Sequence, residues 1–518
     1  MARVSRTENS LLNINFSLLS QIVKIIFSFT SRTIFIYVLG KEILGINGVY
    51  ASILSYLALS ELGIGSAVTF TLYKPIAEHN IERIKSIVHF YRRVYKIIGL
   101  IILSSGVLLM PFLQIIVKDY QLTRELYVAY VLYVFTIASS YLLFSYRQVL
   151  LVASQEKHRI EKSNIVFYIL TNSIQIAFLL LTRNYLVYLI INIVLQDVQQ
   201  FFIYRLVGKD YPYTREKQII SLTHKEKMDI GKSVYSIALF KLGAVILNST
   251  DNIIISAFIG VAVVGVYSNY HLLISTVTGF IGLIFTSLTA SVGNLNVTSS
   301  SEKSEAVFKR IFVVSTIMYS AAGMILFQML NPFINLWLGH DYLFSDFTAF
   351  FFAVDFILAG YMIPIDLFKD ACGVFRVGRY RPLLTVLINI VLSIILAQSM
   401  GVAGIILATS ISRLLTTFWI DSRYVYKIVF KKSVKNYYLR FAMYFSLSIV
   451  GICVLYTISS IVRKYVDSAI VLFIITLVYS IVLVTIYILG VYRKRKEFCD
   501  VIEMGKKYLP KRVVRRNG

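Results

Sequence analysis

The chain has 518 residues, 57% of them hydrophobic and only 15% charged, with a mean hydropathy of +0.72. About a quarter of the residues of a typical soluble domain are charged, so a soluble enzyme, a secreted disulfide scaffold and a disordered chain are all excluded. The formal charge of +25 then concerns membrane sidedness, and no nucleic-acid partner is expected.

The N-terminus carries Arg3 and Arg6, and the apolar stretch after it runs to Leu39. That is too long for the core of a signal peptide and predicts an uncleaved first helix. A transmembrane helix takes about 20 apolar residues. Candidate spans follow at 11–39, 43–72, 97–117, 126–152, 164–182, 186–207, 233–259, 266–292, 306–330, 346–371, 383–399, 404–421, 437–461 and 468–491. The fold class expected is therefore an all-α multi-span membrane protein of about fourteen helices. Three cysteines, Cys372, Cys453 and Cys499, show no CxxC spacing and suggest neither a disulfide framework nor a metal site.

The basic residues order these spans. Forty-one of the 52 Lys and Arg lie at the N-terminus, in the loops near 73–96, 153–163, 208–232, 293–310, 369–382 and 422–440, and in the C-terminal tail. The opposite loops hold only Lys41, Lys118, Arg124, Arg183, Arg463 and Lys464. Such asymmetry predicts that both termini are cytoplasmic and that the span count is even. The tail, with Arg493-Lys494-Arg495-Lys496, suits anionic lipid headgroups.

A repeat runs through the chain. Gly40, Gly45 and Tyr50 recur 220 residues later as Gly260, Gly265 and Tyr270, and Arg147, Lys157 and Arg159 recur 222 later as Lys369, Arg379 and Arg381. An offset of six spans preserves orientation, which predicts two parallel six-helix lobes around a central cavity, plus two C-terminal helices. The domains expected are an N-lobe at 1–210, a cytoplasmic linker at 211–232, a C-lobe at 233–425, spans 13 and 14 at 426–491, and a basic tail at 492–518.

Catalytic chemistry is hard to find. Gly231-Lys232-Ser233 carries the last letters of a phosphate loop, but Glu226 stands at the first glycine's place, so the stretch reads as a helix start and no ATPase is inferred. Five histidines (His79, His89, His158, His224, His340) lie in or near loops without metal-ligand spacing. The outward loops are short. No enzyme, catalytic residue, cofactor or metal is expected.

Charges inside hydrocarbon are costly and mark cavities or partners. At about 1.5 Å per residue from a turn near Glu42, Arg32 lies at mid-membrane, and Lys24 and Glu61 are level with each other deeper in. For that pair a structural ion bridge and a direct substrate or ion role both stay open. From a second turn near Ala262, Asp251 and His271 lie level with Arg32, and Lys241 lies toward the cytoplasm. Arg32 maps by the repeat to position 252, beside Asp251, so both halves place a charge where one cavity would meet it. For His271 a buried hydrogen-bonded role stays open. Arg147 and Lys369 either face the cavity or snorkel to headgroups, and Arg413 joins the candidates by depth alone.

Three stretches carry a family resemblance: Leu39-Gly40-Lys41-Glu42-Ile43-Leu44-Gly45-Ile46-Asn47-Gly48; Glu61-Leu62-Gly63-Ile64-Gly65-Ser66-Ala67 through Leu72-Tyr73-Lys74-Pro75; and Gly378-Arg379-Tyr380-Arg381-Pro382 through Ile388-Asn389-Ile390 to Gly401-Val402-Ala403-Gly404. In order and spacing over nearly the whole chain, they resemble the Wzx-type polysaccharide repeat-unit flippases of the multidrug/oligosaccharidyl-lipid/polysaccharide exporter superfamily. That resemblance implies a MATE-like fold in the cytoplasmic membrane. It implies movement of undecaprenyl-pyrophosphate-linked oligosaccharide from the inner to the outer leaflet, for capsule, exopolysaccharide or O-antigen synthesis, with H+ or Na+ as candidate coupling ions. Membrane lipids, a polysaccharide polymerase and glycosyltransferases are the partners it suggests. It lends a cavity role to Arg32 and Glu61, and spans 13 and 14 become candidates for a lipid-tail groove. The alternatives are a related exporter of lipid II or of a cationic drug and, from another class, a membrane glycosyltransferase or polymerase, which would need a large outer loop.

Overall fold

The computed structural model describes residues 6–58, 64–216, 220–373, 380–466 and 468–508. In chain order its helices are α1 (Arg6–Leu57), α2 (Ile64–Ala77), α3 (Ile81–Leu109), α4 (Leu113–Ile116), α5 (Arg124–Leu142), α6 (Gln148–Ala153), α7 (Lys157–Thr182), α8 (Tyr185–Asp210) and α9 (His224–Ile254). They continue with α10 (Val261–Thr298), α11 (Ser301–Leu338), α12 (Asp346–Ala371), α13 (Arg381–Met400), α14 (Val402–Arg413), α15 (Trp419–Val425), α16 (Lys435–Val462), α17 (Ala469–Tyr492) and α18 (Lys496–Tyr508). Twelve helices among the described residues are long and apolar enough to cross a membrane. The first of them holds the expected span at 11–39 and the first half of that at 43–72, divided at Gly40, where φ is 84° and ψ 173°; residues 59–63 of the latter lie outside the described residues, and its end falls on α2. The expected span at 233–259 falls on α9 and the π turn Ile255–Ile259 after it. The protein is an all-α, multi-pass membrane protein.

Short polar breaks between the apolar runs cap the helices. Asn80 accepts from Arg83 N, Asn184 from Leu186 N and Val187 N, Ser300 from Lys303 N and Ser345 from Thr348 N. Each satisfies amides that a helix start leaves unpaired. Thr223 and Glu226 form a full capping box at the start of α9, so Gly231-Lys232-Ser233 lies inside a helix rather than in a phosphate loop.

The chain divides into two compact units, Met1–Gly265 and Val266–Gly518. In the first, α1 packs on α7 and α9, α3 on α5, α5 and α7 on α8, and α2 on α6 and α9. α9 therefore belongs with the first unit by contact. Two glycines let helices meet at the backbone: a Cβ on Gly45 would overlap the Val261 carbonyl, and one on Gly265 would overlap that of Lys41. Gly40 and Gly260, the repeat-related pair, both hold positive φ, at 84° and 147°, a region open to glycine at little cost.

In the second unit α11 is central and packs against α12, α16, α17 and α18, while α13 lies along α14. Hydroxyls tie the C-terminal spans on. Ser320 on α11, Tyr361 on α12 and Ser448 on α16 lie within 2.6 to 2.8 Å of one another, and Tyr487 on α17 lies 3.0 Å from Ser448. Such bonds hold helices together where no water competes. The repeat shows in geometry too. Buried Tyr50 donates to Leu126 O at the start of α5 (3.0 Å). Its counterpart Tyr270 donates to Asn331 Oδ1 (2.6 Å) and accepts from Phe344 N (2.9 Å), just before α12.

Candidate functional site

Arg32 lies half-buried on α1, with the phenols of Tyr188 and Tyr133 among its neighbours. Around them is a polar aromatic cluster. Tyr133 and Tyr185 both donate to Asn47 Oδ1, the latter at 3.2 Å. Phe35 stands edge-on to Tyr185 and Tyr188, with ring centroids 5.9 and 5.3 Å away. A guanidinium bordered by phenols and an amide can offer planar paired donors to an anion and hydrogen bonds to hydroxyls.

The other sequence candidates have surroundings of their own. Lys24 is exposed on α1, and Glu61 lies outside the described residues, as does the side chain of Lys241 on α9. Asp251 is half-buried beside Tyr56, whose hydroxyl is 2.5 Å from that of Thr250. Asn252 donates to Ser52 Oγ at 3.0 Å, joining α9 to α1. His271 is exposed on α10, with its ring 6.0 Å from that of Tyr267. Arg413 donates to both oxygens of Asp355 at 2.8 Å, and Ser410 donates to the same carboxylate.

Arg147 and Lys369 are both buried within the protein. They are 3% and 5% exposed. Lys369 donates to Asp366 (2.6 Å) and Asp421 (2.7 Å), and Arg381 joins Asp421 at 2.8 Å. Arg147 lies with its guanidinium carbon 3.9 Å from the Tyr204 ring centre and 5.7 Å from that of Tyr146. Its Nη2 donates to Thr214 O at 3.2 Å.

Sequence reasoning concentrated on cations and overlooked a polar band on α8. Asp197 accepts from Ser139 (2.9 Å), Gln196 donates to Thr136 O (3.2 Å), and Gln199 donates to Asn164 (2.7 Å). Gln200 accepts from Ser145 and Gln148. All four are half-buried, near the middle of a helix that spans Tyr185–Asp210. Amides and a carboxylate do not face lipid without cost. The signal was present: Gln196-Asp197-Val198-Gln199-Gln200 interrupts an otherwise apolar run. Asp355 and Asp421 were likewise legible as acids inside expected spans. No group of three or more His, Cys, Asp or Glu suited to a metal occurs among the described residues.

No protein-family profile and no curated protein matches the sequence. Solved structures do. A lipid II flippase MurJ in an inward closed conformation superposes with a TM-score of 0.62 at 16% identity, covering 95% of this chain and 100% of its own. An inward-facing multidrug resistance MATE family transporter of the MOP superfamily gives 0.59 at 12% identity, covering 78% of this chain and 94% of its own. A mutant of the Vibrio cholerae MATE transporter VcmN gives 0.56 at 12% identity, with 83% and 99% covered. This chain has the fold shared by those transporters.

Proposed function

We propose that the protein is a flippase that carries undecaprenyl-pyrophosphate-linked oligosaccharide from the inner to the outer leaflet of the cytoplasmic membrane by alternating access. The observation that carries this reading is the extent of the likeness. The lipid II flippase accounts for 95% of this chain, whereas the two drug transporters account for 78% and 83% while being themselves almost fully covered. Two spans beyond a twelve-helix core, α16 and α17, fit that difference. The strong basic bias of one set of loops supports cytoplasmic termini.

The chemistry of the first unit agrees with such a cargo. Arg32 supplies the cation that a pyrophosphate needs, and the phenols beside it and the amides of Asn47, Gln196 and Gln200 supply hydrogen bonds for sugar hydroxyls. The polyprenyl tail stays in lipid. Capsule or exopolysaccharide repeat units are the cargo that the sequence resemblance favours; the drug transporters' likeness favours a drug instead.

The test is export in cells lacking the gene and complemented with variants. Arg32→Ala should abolish surface polysaccharide and leave lipid-linked oligosaccharide in the inner leaflet, with normal protein levels. Arg32→Lys keeps the charge but loses the planar fork, and should cut export less severely. Normal export by Arg32→Ala removes Arg32 from the site. Intact polysaccharide with raised drug sensitivity in the deletion strain points to a drug cargo.

A further inference from the structure

We infer that Arg147 is a receptor, at the cytoplasmic side of the first unit, for a phosphoryl group of the lipid-linked cargo, and that residues 211–216 form a strap that covers it until the cargo arrives. The inference rests on the flippase reading and names a second contact for the same cargo, at the depth where an inner-leaflet pyrophosphate first meets the protein.

The guanidinium of Arg147 is buried, yet its Nε and Nη1 meet no acceptor at hydrogen-bonding geometry. No carboxylate pairs with it among the described residues, and its well-formed hydrogen bond is to the Thr214 carbonyl. The rest of its setting is the ring of Tyr204 and the ring and phenol of Tyr146, a neutral partner, and a second cation, Arg92, lies 5.4 Å from the Tyr146 ring. A buried charge with donors to spare is costly unless something else completes it. A phosphoryl group completes it: it brings the missing negative charge and oxygens that accept several N–H bonds at once. It is also a stronger acceptor than the peptide carbonyl that now holds the place.

That carbonyl belongs to the segment joining α8 to α9. The segment is fastened at three points: Glu216 to Lys85 (2.8 Å), Tyr211 to Ser154 Oγ (3.0 Å), and Thr214 O to Arg147. A phosphoryl group at Arg147 removes the middle fastening. Cargo arrival thereby loosens the segment that connects the two repeats. Lys369, the repeat counterpart, has two carboxylates of its own and leaves no such vacancy.

Two strap amides report on this, because Thr214 N bonds to Tyr211 O and Glu216 N to Tyr213 O. Hydrogen exchange of residues 211–216 is measured on the full-length protein in phosphatidylcholine nanodiscs. The additions are undecaprenyl pyrophosphate, undecaprenol, phosphatidylglycerol or inorganic pyrophosphate. Undecaprenyl pyrophosphate should speed exchange at least threefold in the wild type, inorganic pyrophosphate less, undecaprenol and phosphatidylglycerol not at all. Arg147→Gln should abolish the response. An equal response to phosphatidylglycerol makes this an ordinary headgroup site and overturns the inference, as does an unmoved strap or an unchanged response in Arg147→Gln. The wild-type arms decide the matter even if the variant does not fold. Failure here leaves the strain without surface polysaccharide, whereas failure of the flippase reading leaves export intact in the deletion strain.

Discussion

Arg147 and Lys369 hold equivalent places in the two repeats and are almost equally buried, but their surroundings are opposite in kind. Lys369 and Arg381 share Asp421, which is itself 2% exposed, and Lys369 has Asp366 besides. Around Arg147 the same task falls to two tyrosine faces and one carbonyl. The second unit is thus electrostatically closed at this position, and the first is open. A repeat preserves where a charge sits in the fold, and the partners of that charge are free to diverge.

The largest expected effect comes from opening the closed half. Asp421→Asn leaves Lys369 and Arg381 buried with one carboxylate fewer and should cost about 3–5 kcal/mol, read as a large fall in the thermal unfolding midpoint. A variant as stable as the wild type would break the comparison. Next in size, Lys369→Met and Arg147→Met should differ in sign. The first leaves the buried Asp421 with Arg381 alone and should destabilise by about 1–3 kcal/mol, whereas the second removes an uncompensated cation and should leave the unfolding midpoint level or raised, while export falls. Tyr204→Leu takes away a cation's ring face, worth roughly 0.5–2 kcal/mol, and should lower the midpoint unless Arg147 is already neutralised by a ligand.

The smallest effect concerns pH. Glu226 bonds Arg83 (2.5 Å) and caps α9 through Thr223, and these partners hold its carboxyl down from 4.5 to about 2. A depressed carboxylate contributes stability that is full above its ordinary range and is lost as pH falls through the lowered value. Proteolysis near residue 224 should therefore be flat from pH 7 to 5 and accelerate progressively as pH falls from about 4.5 to about 2. Glu226→Gln should abolish that acid dependence. The pair is exposed enough for solvent screening to keep the effect small.

Much of the fold was legible because hydrophobic run length is a strong signal in a membrane chain. Among the described residues the expected spans fall on helices, with that at 126–152 broken between α5 and α6, and the caps at Asn80, Asn184, Ser300 and Ser345 sit in the polar breaks. The tight glycines at 40, 45, 260 and 265 stood out through the repeat alone. Site residues were harder. Depth along a helix is readable at a fixed rise per residue, but rotation about the axis is weakly encoded when every face is apolar. Arg413 was therefore identified and its partner Asp355 was not. Arg147 was expected either to line a cavity or to snorkel; of the two rings that enclose it, Tyr146 is its own neighbour in the turn 145–147, but Tyr204 comes from α8 packing on that turn, which no local spacing announces. The glutamines of α8 went unremarked because a search for charge passes over neutral amides.

The meeting of Gly45 with Val261 and of Gly265 with Lys41 has a lineage implied in it. Exchanging each residue for its repeat counterpart, Gly45 for Gly265 and Val261 for Lys41, turns the first contact into the second, so the pair of contacts is isologous, the form found across the two-fold axis of a homodimer. In a half-length chain that paired with itself, a single glycine codon would have created both contacts together. In the fused chain the two codons are independent, and a side chain gained at either one would break half of a contact that its other copy still keeps.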